Sequence, residues 1–96
     1  MFEPKTNRNE AERENEPVVV FGTRWCADTQ KARRYLDRAR IPYIFQDMEA
    51  DTQADAQVRW WTGGYSSHPT IVIGGTVLIE PSLEELETAL EEHGVI

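Results

Sequence analysis

The sequence predicts an α/β domain in which helices cover a four-stranded mixed sheet, in the order β-α-β-α-β-β-α. Two observations support this order. Short runs of β-branched and aromatic residues alternate with stretches whose apolar residues recur every three or four positions, which is the spacing of a helix face. The last two runs are separated only by Gly74 and Gly75, a pair typical of a two-residue hairpin. A helix between the first two strands makes them parallel, and the hairpin makes the last two antiparallel.

The first strand and the first helix are predicted from the amino-terminal half of the chain. The apolar run at residues 18–21 is typical of a strand buried on both faces, and it ends at Gly22. A helical pattern follows and stops at Pro42, because proline cannot continue a helix. Spacing of i, i+3, i+4 and i+7 predicts that its buried stripe consists of Ala32, Tyr35, Leu36 and Ala39.

The second strand and helix follow directly. Residues 42–48 predict the strand, and Asp51 or Thr52 is a suitable cap for the helix that comes next. Only one of the two tryptophans at positions 60–61 can face the core, because adjacent residues lie on different sides of a helix. Gly63 suits the left-handed position that ends a helix.

The last three elements form a hairpin and a helix. The strands are predicted at residues 70–73 and 76–80. Ser82 with Glu85 three residues later is the pattern of a capping box, so the helix begins there. Its apolar stripe is predicted to contain Leu83, Leu86, Ala89 and Leu90.

Length and charge limit the possible functions. The chain has 96 residues, enough for one small domain, which we expect at residues 17–96 after a disordered tail at residues 1–16. The net charge of −7 argues against nucleic acid and against an anionic membrane surface. No apolar run is long enough to span a membrane or to serve as a signal peptide. A single cysteine cannot form an internal disulfide, and we expect a cytoplasmic protein.

Cys26 is the candidate for chemistry. The predicted order places it where the first strand leads into the first helix, and the unpaired N–H groups and the dipole of a helix start stabilise a thiolate. Arg24 adds a nearby cation, and the hydroxyl of Thr29 can donate to the sulfur or cap the helix. The alternative is a buried, inert thiol, since free cysteines are among the most buried residues. Loops at the carboxyl ends of strands are where ligands bind, which favours the reactive cysteine.

Three segments resemble the glutaredoxin family. The stretch FGTRWCADTQKARRYLDRARIPY is similar to the active-site segment of that family, TGGYSSHPTIVIGG to the segment around its cis-proline, and TVLIEPSLEELETAL to its carboxyl-terminal unit. The resemblance covers residues 17–93 and is closest to the bacterial glutaredoxin-like proteins that include the mycoredoxins. It implies a thioredoxin-like fold. It also implies that Cys26 is the nucleophile, that Thr29 replaces the resolving cysteine of dithiol members, and that Pro69 is the cis-proline.

The activity implied by this resemblance is that of a monothiol thiol–disulfide oxidoreductase. Such a protein reduces mixed disulfides between proteins and a low-molecular-weight thiol, here glutathione or mycothiol, and needs no metal. We expect a monomer. Catalysis is assigned to Cys26 and Thr29. The residues expected to bind the thiol are Arg24, Trp25, His68, Pro69 and Thr70.

Departures from the family pattern keep two alternatives open. The second cysteine is absent, His68 stands where a small apolar residue is usual, and Ile79-Glu80-Pro81-Ser82 replaces the segment that carries the acidic anchor for glutathione. These differences suit a binding module that has kept the fold and lost the chemistry. An iron–sulfur carrier is the third possibility, and it would need a dimer to supply two cysteines.

Overall fold

The computed structural model describes residues 18–96, and the tail predicted at residues 1–16 lies outside the described residues. The predicted order of elements is confirmed. The elements are β1 (Val18–Gly22), α1 (Ala27–Arg38), β2 (Tyr43–Asp47), α2 (Thr52–Thr62), β3 (Thr70–Ile73), β4 (Thr76–Ile79) and α3 (Leu83–Glu92).

The sheet brings three chain segments together at one edge. Its strand order is β2-β1-β3-β4, with β1 parallel to β2 and antiparallel to β3, and β3 antiparallel to β4. Gly22, at the end of β1, pairs with Asp47 at the end of β2, and Phe21 pairs with Thr70 at the start of β3. The loops that leave β1 and β2 therefore meet the loop that enters β3.

Helices pack on both faces of the sheet, as the sequence predicts. On one face, α1 and α3 cover β1 and β3 around fully buried side chains such as Leu36, Ile71 and Leu90. On the other face, α2 contributes Ala54 and Val58 to a smaller cluster with Met48, against which Phe21 packs. Alternate residues of β1 thus enter different clusters, because successive side chains of a strand point to opposite faces.

The helix ends carry the predicted caps. Asp51 caps α2, since its carboxylate accepts from the backbone N–H groups of Gln53 at 3.0 Å and Ala54 at 3.4 Å. Gly63 follows α2 with φ of 82°, the left-handed conformation expected there. Ser82 and Glu85 form the capping box of α3, each accepting from the backbone N–H of the other at 3.0 and 2.8 Å.

Two members of the predicted apolar stripes are exposed, so those predictions were wrong. Ala39 lies one residue beyond α1, which ends at Arg38 rather than at Pro42. The buried stripe of α1 starts a turn earlier instead, at Thr29. Leu83 is the first residue of α3 and is 38% exposed.

The tryptophans of α2 divide as the sequence predicts. Trp61 packs edge-to-face on Phe21, with ring centroids 5.3 Å apart, while Trp60 is 81% exposed.

Between residues 18 and 96, no helix has both the length and the apolar character needed to cross a membrane.

Candidate active site

Cys26 occupies the N-cap position of α1. Its backbone is extended, with φ of −75° and ψ of 124°, and its carbonyl accepts the first helical hydrogen bond from the N–H of Gln30 at 3.0 Å. The thiol is partly exposed. The sulfur therefore lies at the positive end of the helix dipole, close to N–H groups that have no helical acceptor.

Thr29 lies beneath the cysteine, packed against the end of β1. It is fully buried, and its Oγ1 has no nitrogen or oxygen partner among the described residues. The backbone of Gly22 contacts it so closely that a Cβ at position 22 would lie 2.6 Å from both Oγ1 and Cγ2 of Thr29. A glycine at the end of β1 thus lets the first turn of α1 approach the sheet.

Two opposing effects set the pKa of Cys26. Burial raises this pKa, because the charged thiolate loses hydration. Hydrogen bonds from the backbone and hydroxyl of Thr29, from the side chain of His68 and from the backbone N–H of Asp28 lower it, and together they outweigh burial. The pKa of Cys26 therefore lies below that of an ordinary thiol, which enriches the nucleophilic thiolate near neutral pH.

The loop that enters β3 faces the cysteine. The peptide bond between His68 and Pro69 is cis, and the carbonyl oxygen of His68 lies 3.9 Å from Sγ of Cys26. Pro69 and Thr70 are buried, and the Thr70 hydroxyl donates to the carbonyl of Ser67 at 3.1 Å. The side chain of Thr70 therefore supports the loop, and His68 is the residue of this loop whose carbonyl lies next to the sulfur.

The same loop is anchored to α2 through Asp55 in its first turn and Arg59 in its last turn. Ser66 donates a short hydrogen bond to the carboxylate of Asp55, whose other oxygen accepts from Nε of Arg59 at 2.9 Å. Arg59 also donates to the carbonyl of Gly64 at 3.0 Å. The hydrogen bonds from Ser66 and Arg59 lower the pKa of Asp55. This network fixes the approach of the chain to His68.

The side chains of Arg24 and Trp25 contact carboxylates at the end of β2 and just after it. Nε of Arg24 lies 3.4 Å from the Asp47 carboxylate, and Nε1 of Trp25 donates to Glu49 at 2.7 Å. Arg24 pairs with Asp47 and is not among the groups that shift the pKa of Cys26, so an effect of its charge on the thiolate stays a prediction. The Trp25 ring contacts His68, with centroids 5.5 Å apart.

A groove of about 520 Å³ lies between the start of α1 and the connection from β4 to α3, and Cys26 is not among the residues that line it. Asp28 and Lys31 line it on the helix side, and Glu80, Pro81 and Ser82 line it on the other. Glu80 donates its backbone N–H to the carbonyl of Pro69 at 2.8 Å, which joins the groove to the proline loop. The groove therefore begins at Asp28, two residues after Cys26, and one of its walls is hydrogen-bonded to the loop that faces the sulfur.

Sequence reasoning missed three residues of this region. Asp47 and Glu49 hold the cysteine loop, and Thr23 has a buried hydroxyl without a partner in the described part of the chain. A signal for the two acids was available: Asp47 ends β2 and Glu49 follows it, and the carboxyl ends of parallel strands lie at the same edge. Within residues 18–96, no group of three or more His, Cys, Asp or Glu side chains is arranged to hold a metal ion.

The fold and the site together define a thioredoxin-fold protein with a thiol centre at the start of its first helix. The family model for glutaredoxin matches residues 18–78. The chain therefore belongs to the glutaredoxin family, which supports a function of the thiol-oxidoreductase type. No curated protein sequence matches this chain significantly.

Solved structures share the fold. A buckwheat glutaredoxin in complex with glutathione is 22% identical with a TM-score of 0.65, and the match covers 96% of this chain and 94% of that one. A glutaredoxin from Archaeoglobus fulgidus is 17% identical with a TM-score of 0.66, over 74% and 82% of the two chains. The thioredoxin-like protein BC3987 is 24% identical with a TM-score of 0.66, over 74% and 96%. At these identities the likeness concerns the fold alone.

Proposed function

We propose that this protein is a monothiol, mycoredoxin-like oxidoreductase that reduces mixed disulfides between proteins and a low-molecular-weight thiol. The observation that carries the proposal is the partly exposed sulfur of Cys26 at the start of α1, with a lowered pKa. We further propose that it acts as a monomer in the cytoplasm, where small thiols are kept reduced.

The proposed cycle needs one protein sulfur. The Cys26 thiolate attacks the small-thiol sulfur of the mixed disulfide, the protein thiolate leaves and takes up a proton, and the small thiol becomes disulfide-bonded to Cys26. A second small thiol, as its thiolate, attacks the small-thiol sulfur of this adduct. It forms the symmetric small disulfide and releases the Cys26 thiolate. One mixed disulfide and one free small thiol thus give one protein thiol and one small disulfide.

The other site residues have distinct roles in this proposal. Thr29 donates to the sulfur of Cys26 when it is ionised. His68 and Pro69 form the wall opposite the sulfur, with Thr70 supporting them from below, and Trp25 with Arg24 forms the outer rim. These are the residues that the sequence suggested for catalysis and thiol binding.

The small thiol is proposed to be of the glutathione type, with mycothiol as the second thiol to test. A neighbour of the same fold, the buckwheat glutaredoxin, was solved as a glutathione complex, which supports testing glutathione before mycothiol. The groove contains both charge signs, Lys31 opposite Glu80, as a thiol bearing carboxylate and amino groups requires.

The test measures iodoacetamide alkylation of Cys26 across pH, together with adduct formation and turnover. We expect an alkylation midpoint well below about 8.5. Mass spectrometry should show a one-to-one adduct after exposure to oxidised glutathione or to mycothiol disulfide, and a glutathionylated peptide should be reduced catalytically. Cys26→Ser is the control that abolishes all three signals.

A midpoint at or above about 8.5 without turnover would contradict the proposal. That outcome would favour the binding module, whose partner would remain bound to Cys26→Ser. A coloured protein after anaerobic reconstitution with iron and sulfide would favour the iron–sulfur carrier.

A further inference from the structure

The indole of Trp25 is held by a carboxylate to which the proposed cycle gives no role. Nε1 donates to Oε2 of Glu49 at 2.7 Å, a short distance typical of a hydrogen bond to a charged group. The Trp25 side chain is 63% exposed, so packing restrains its ring only weakly. The hydrogen bond to Glu49 therefore largely decides where the ring lies.

Glu49 is itself fixed to the sheet. Its backbone N–H donates to Oδ1 of Asp47 at 3.0 Å, and Oδ2 of Asp47 lies 3.4 Å from Nε of Arg24. These contacts join two consecutive residues of the loop that carries Cys26, Arg24 and Trp25, to the end of β2 and the turn after it. Arg24 pairs with Asp47, and Trp25 binds Glu49. The base of these contacts is rigid, because Asp47 is paired in register with Gly22 at the ends of β2 and β1.

The other side of the Trp25 ring meets His68. The two rings are edge-to-face, with an interplanar angle of 78° and centroids 5.5 Å apart. Nδ1 of His68 is buried and has no nitrogen or oxygen partner in the described chain, so no such bond holds the imidazole. Apart from the hydrogen bond that the His68 side chain gives to the ionised sulfur, the aromatic contact is thus the restraint on the imidazole within the described residues.

We propose that Glu49 is a positioning residue, which fixes the indole of Trp25 and through it the imidazole of His68 beside the sulfur of Cys26. The inference rests on the proposed function, because it concerns the same thiol. The charged groups around this corner are Arg24, Asp47 and Glu49 from the loops and Asp28 from α1.

The direction in which Glu49→Ala changes the pKa of Cys26 distinguishes a positioning role of Glu49 from a direct effect of its charge. Removing an anion near a thiolate favours the thiolate and lowers its pKa by Coulomb interaction alone. Releasing the imidazole removes a hydrogen bond to the thiolate and raises the pKa. Glu49→Ala does both, and the positioning role predicts that the loss of the hydrogen bond prevails.

The experiment compares the pH profile of iodoacetamide alkylation among variants of the full chain. Glu49→Ala should move the midpoint upward and lower the rate below the midpoint by about threefold for each half unit. Glu49→Gln removes the charge and keeps an acceptor oxygen for the indole, so its midpoint should stay in place or fall. Glu92→Ala removes a carboxylate at the far end of α3 and should leave the profile unchanged.

A second comparison tests whether Glu49 acts through His68. In a His68→Gln background, Glu49→Ala should have no further effect on the alkylation midpoint. The ring protons of His68, which the ring current of Trp25 displaces, should move toward their free values in the NMR spectrum of Glu49→Ala. This last readout does not depend on the reactivity of Cys26.

The outcomes distinguish this inference from the proposed function. An ordinary alkylation midpoint in the unmodified protein contradicts the proposed function, whereas a low midpoint that Glu49→Ala leaves in place or lowers contradicts the positioning role alone. Unmoved His68 ring protons in Glu49→Ala, or an equal Glu49→Ala effect with and without His68, also overturn it.

Discussion

Two buried hydroxyls near Cys26 are unpaired with any nitrogen or oxygen of the described residues. They belong to Thr23 and Thr29. An unsatisfied buried polar group costs about 1–3 kcal/mol. The two differ in what they offer the sulfur, because Thr29 lowers the pKa of Cys26 whereas Thr23 is not among the causes of that shift. The cost at position 29 is thus offset when the thiol ionises, which is the stability–activity compromise common at functional sites.

Thr29→Val separates the effect of the Thr29 hydroxyl on stability from its effect on the pKa of Cys26. Valine has the shape of threonine without the hydroxyl, so the contact with Gly22 remains, and we expect an unchanged or raised unfolding free energy at a pH below the folded pKa of Cys26, where the thiol is protonated. The pKa of Cys26 should rise, because one hydrogen bond to the thiolate is lost. Urea unfolding and the pH profile of alkylation measure the two effects. Thr23→Val is the matched control, with the same stability change and an unmoved midpoint; a midpoint unmoved in Thr29→Val would exclude a role for its hydroxyl.

The packing of α1 on β1 depends on glycine, which has no side chain, at position 22. At Gly22 a Cβ would meet Oγ1 and Cγ2 of Thr29 at 2.6 Å, closer than real contacts allow, and a β-branched side chain in a helix has little freedom to move. The first turn of α1, which carries the cysteine, can therefore lie against the strand only if residue 22 is glycine.

Gly22→Ala should lower the unfolding free energy by about 1–3 kcal/mol, the usual cost of overpacking. Thr29→Ala removes both clashing atoms and leaves Cβ of Thr29 at 3.2 Å, so the double variant should be more stable than the sum of the single changes predicts. Gly75→Ala is the control, because no atom lies within 4 Å of a Cβ there. Additive effects of Gly22→Ala and Thr29→Ala would contradict the clash.

The elements were predictable because their signals are local. Periodicity, the Gly74-Gly75 turn and the Ser82 cap each act within a few residues, and the strand order places Cys26 and Pro69 at one edge. The partners of Arg24 and Trp25 were not predictable, because side-chain direction in a loop depends on residues brought near by the fold. Ala39 is exposed because α1 ends at Arg38, the residue before it, and periodicity does not locate a helix end to a single residue.

For the whole molecule, the pKa of the thiol and the stability of the fold are linked. The start of α1, the hydroxyl of Thr29 and the loop at His68 come together only when the sheet forms and both faces are packed. In the unfolded chain these groups separate, and the pKa of Cys26 returns to about 8.5. The same interactions that activate the sulfur therefore stabilise the folded protein whenever the sulfur is ionised.

The sign of this linkage gives a final prediction. Because the folded state lowers the pKa of Cys26, its stabilising contribution is fully present above the unfolded pKa and is lost as the pH falls through the folded pKa. The unfolding free energy of the protein should therefore rise with pH between these two values, relative to Cys26→Ser, by about 1.4 kcal/mol for each unit of pKa difference. Urea unfolding of both proteins from pH 5 to pH 9 measures it, because every other titrating group cancels in the comparison. Parallel pH profiles would mean that folding does not stabilise the thiolate, whatever its rate of alkylation.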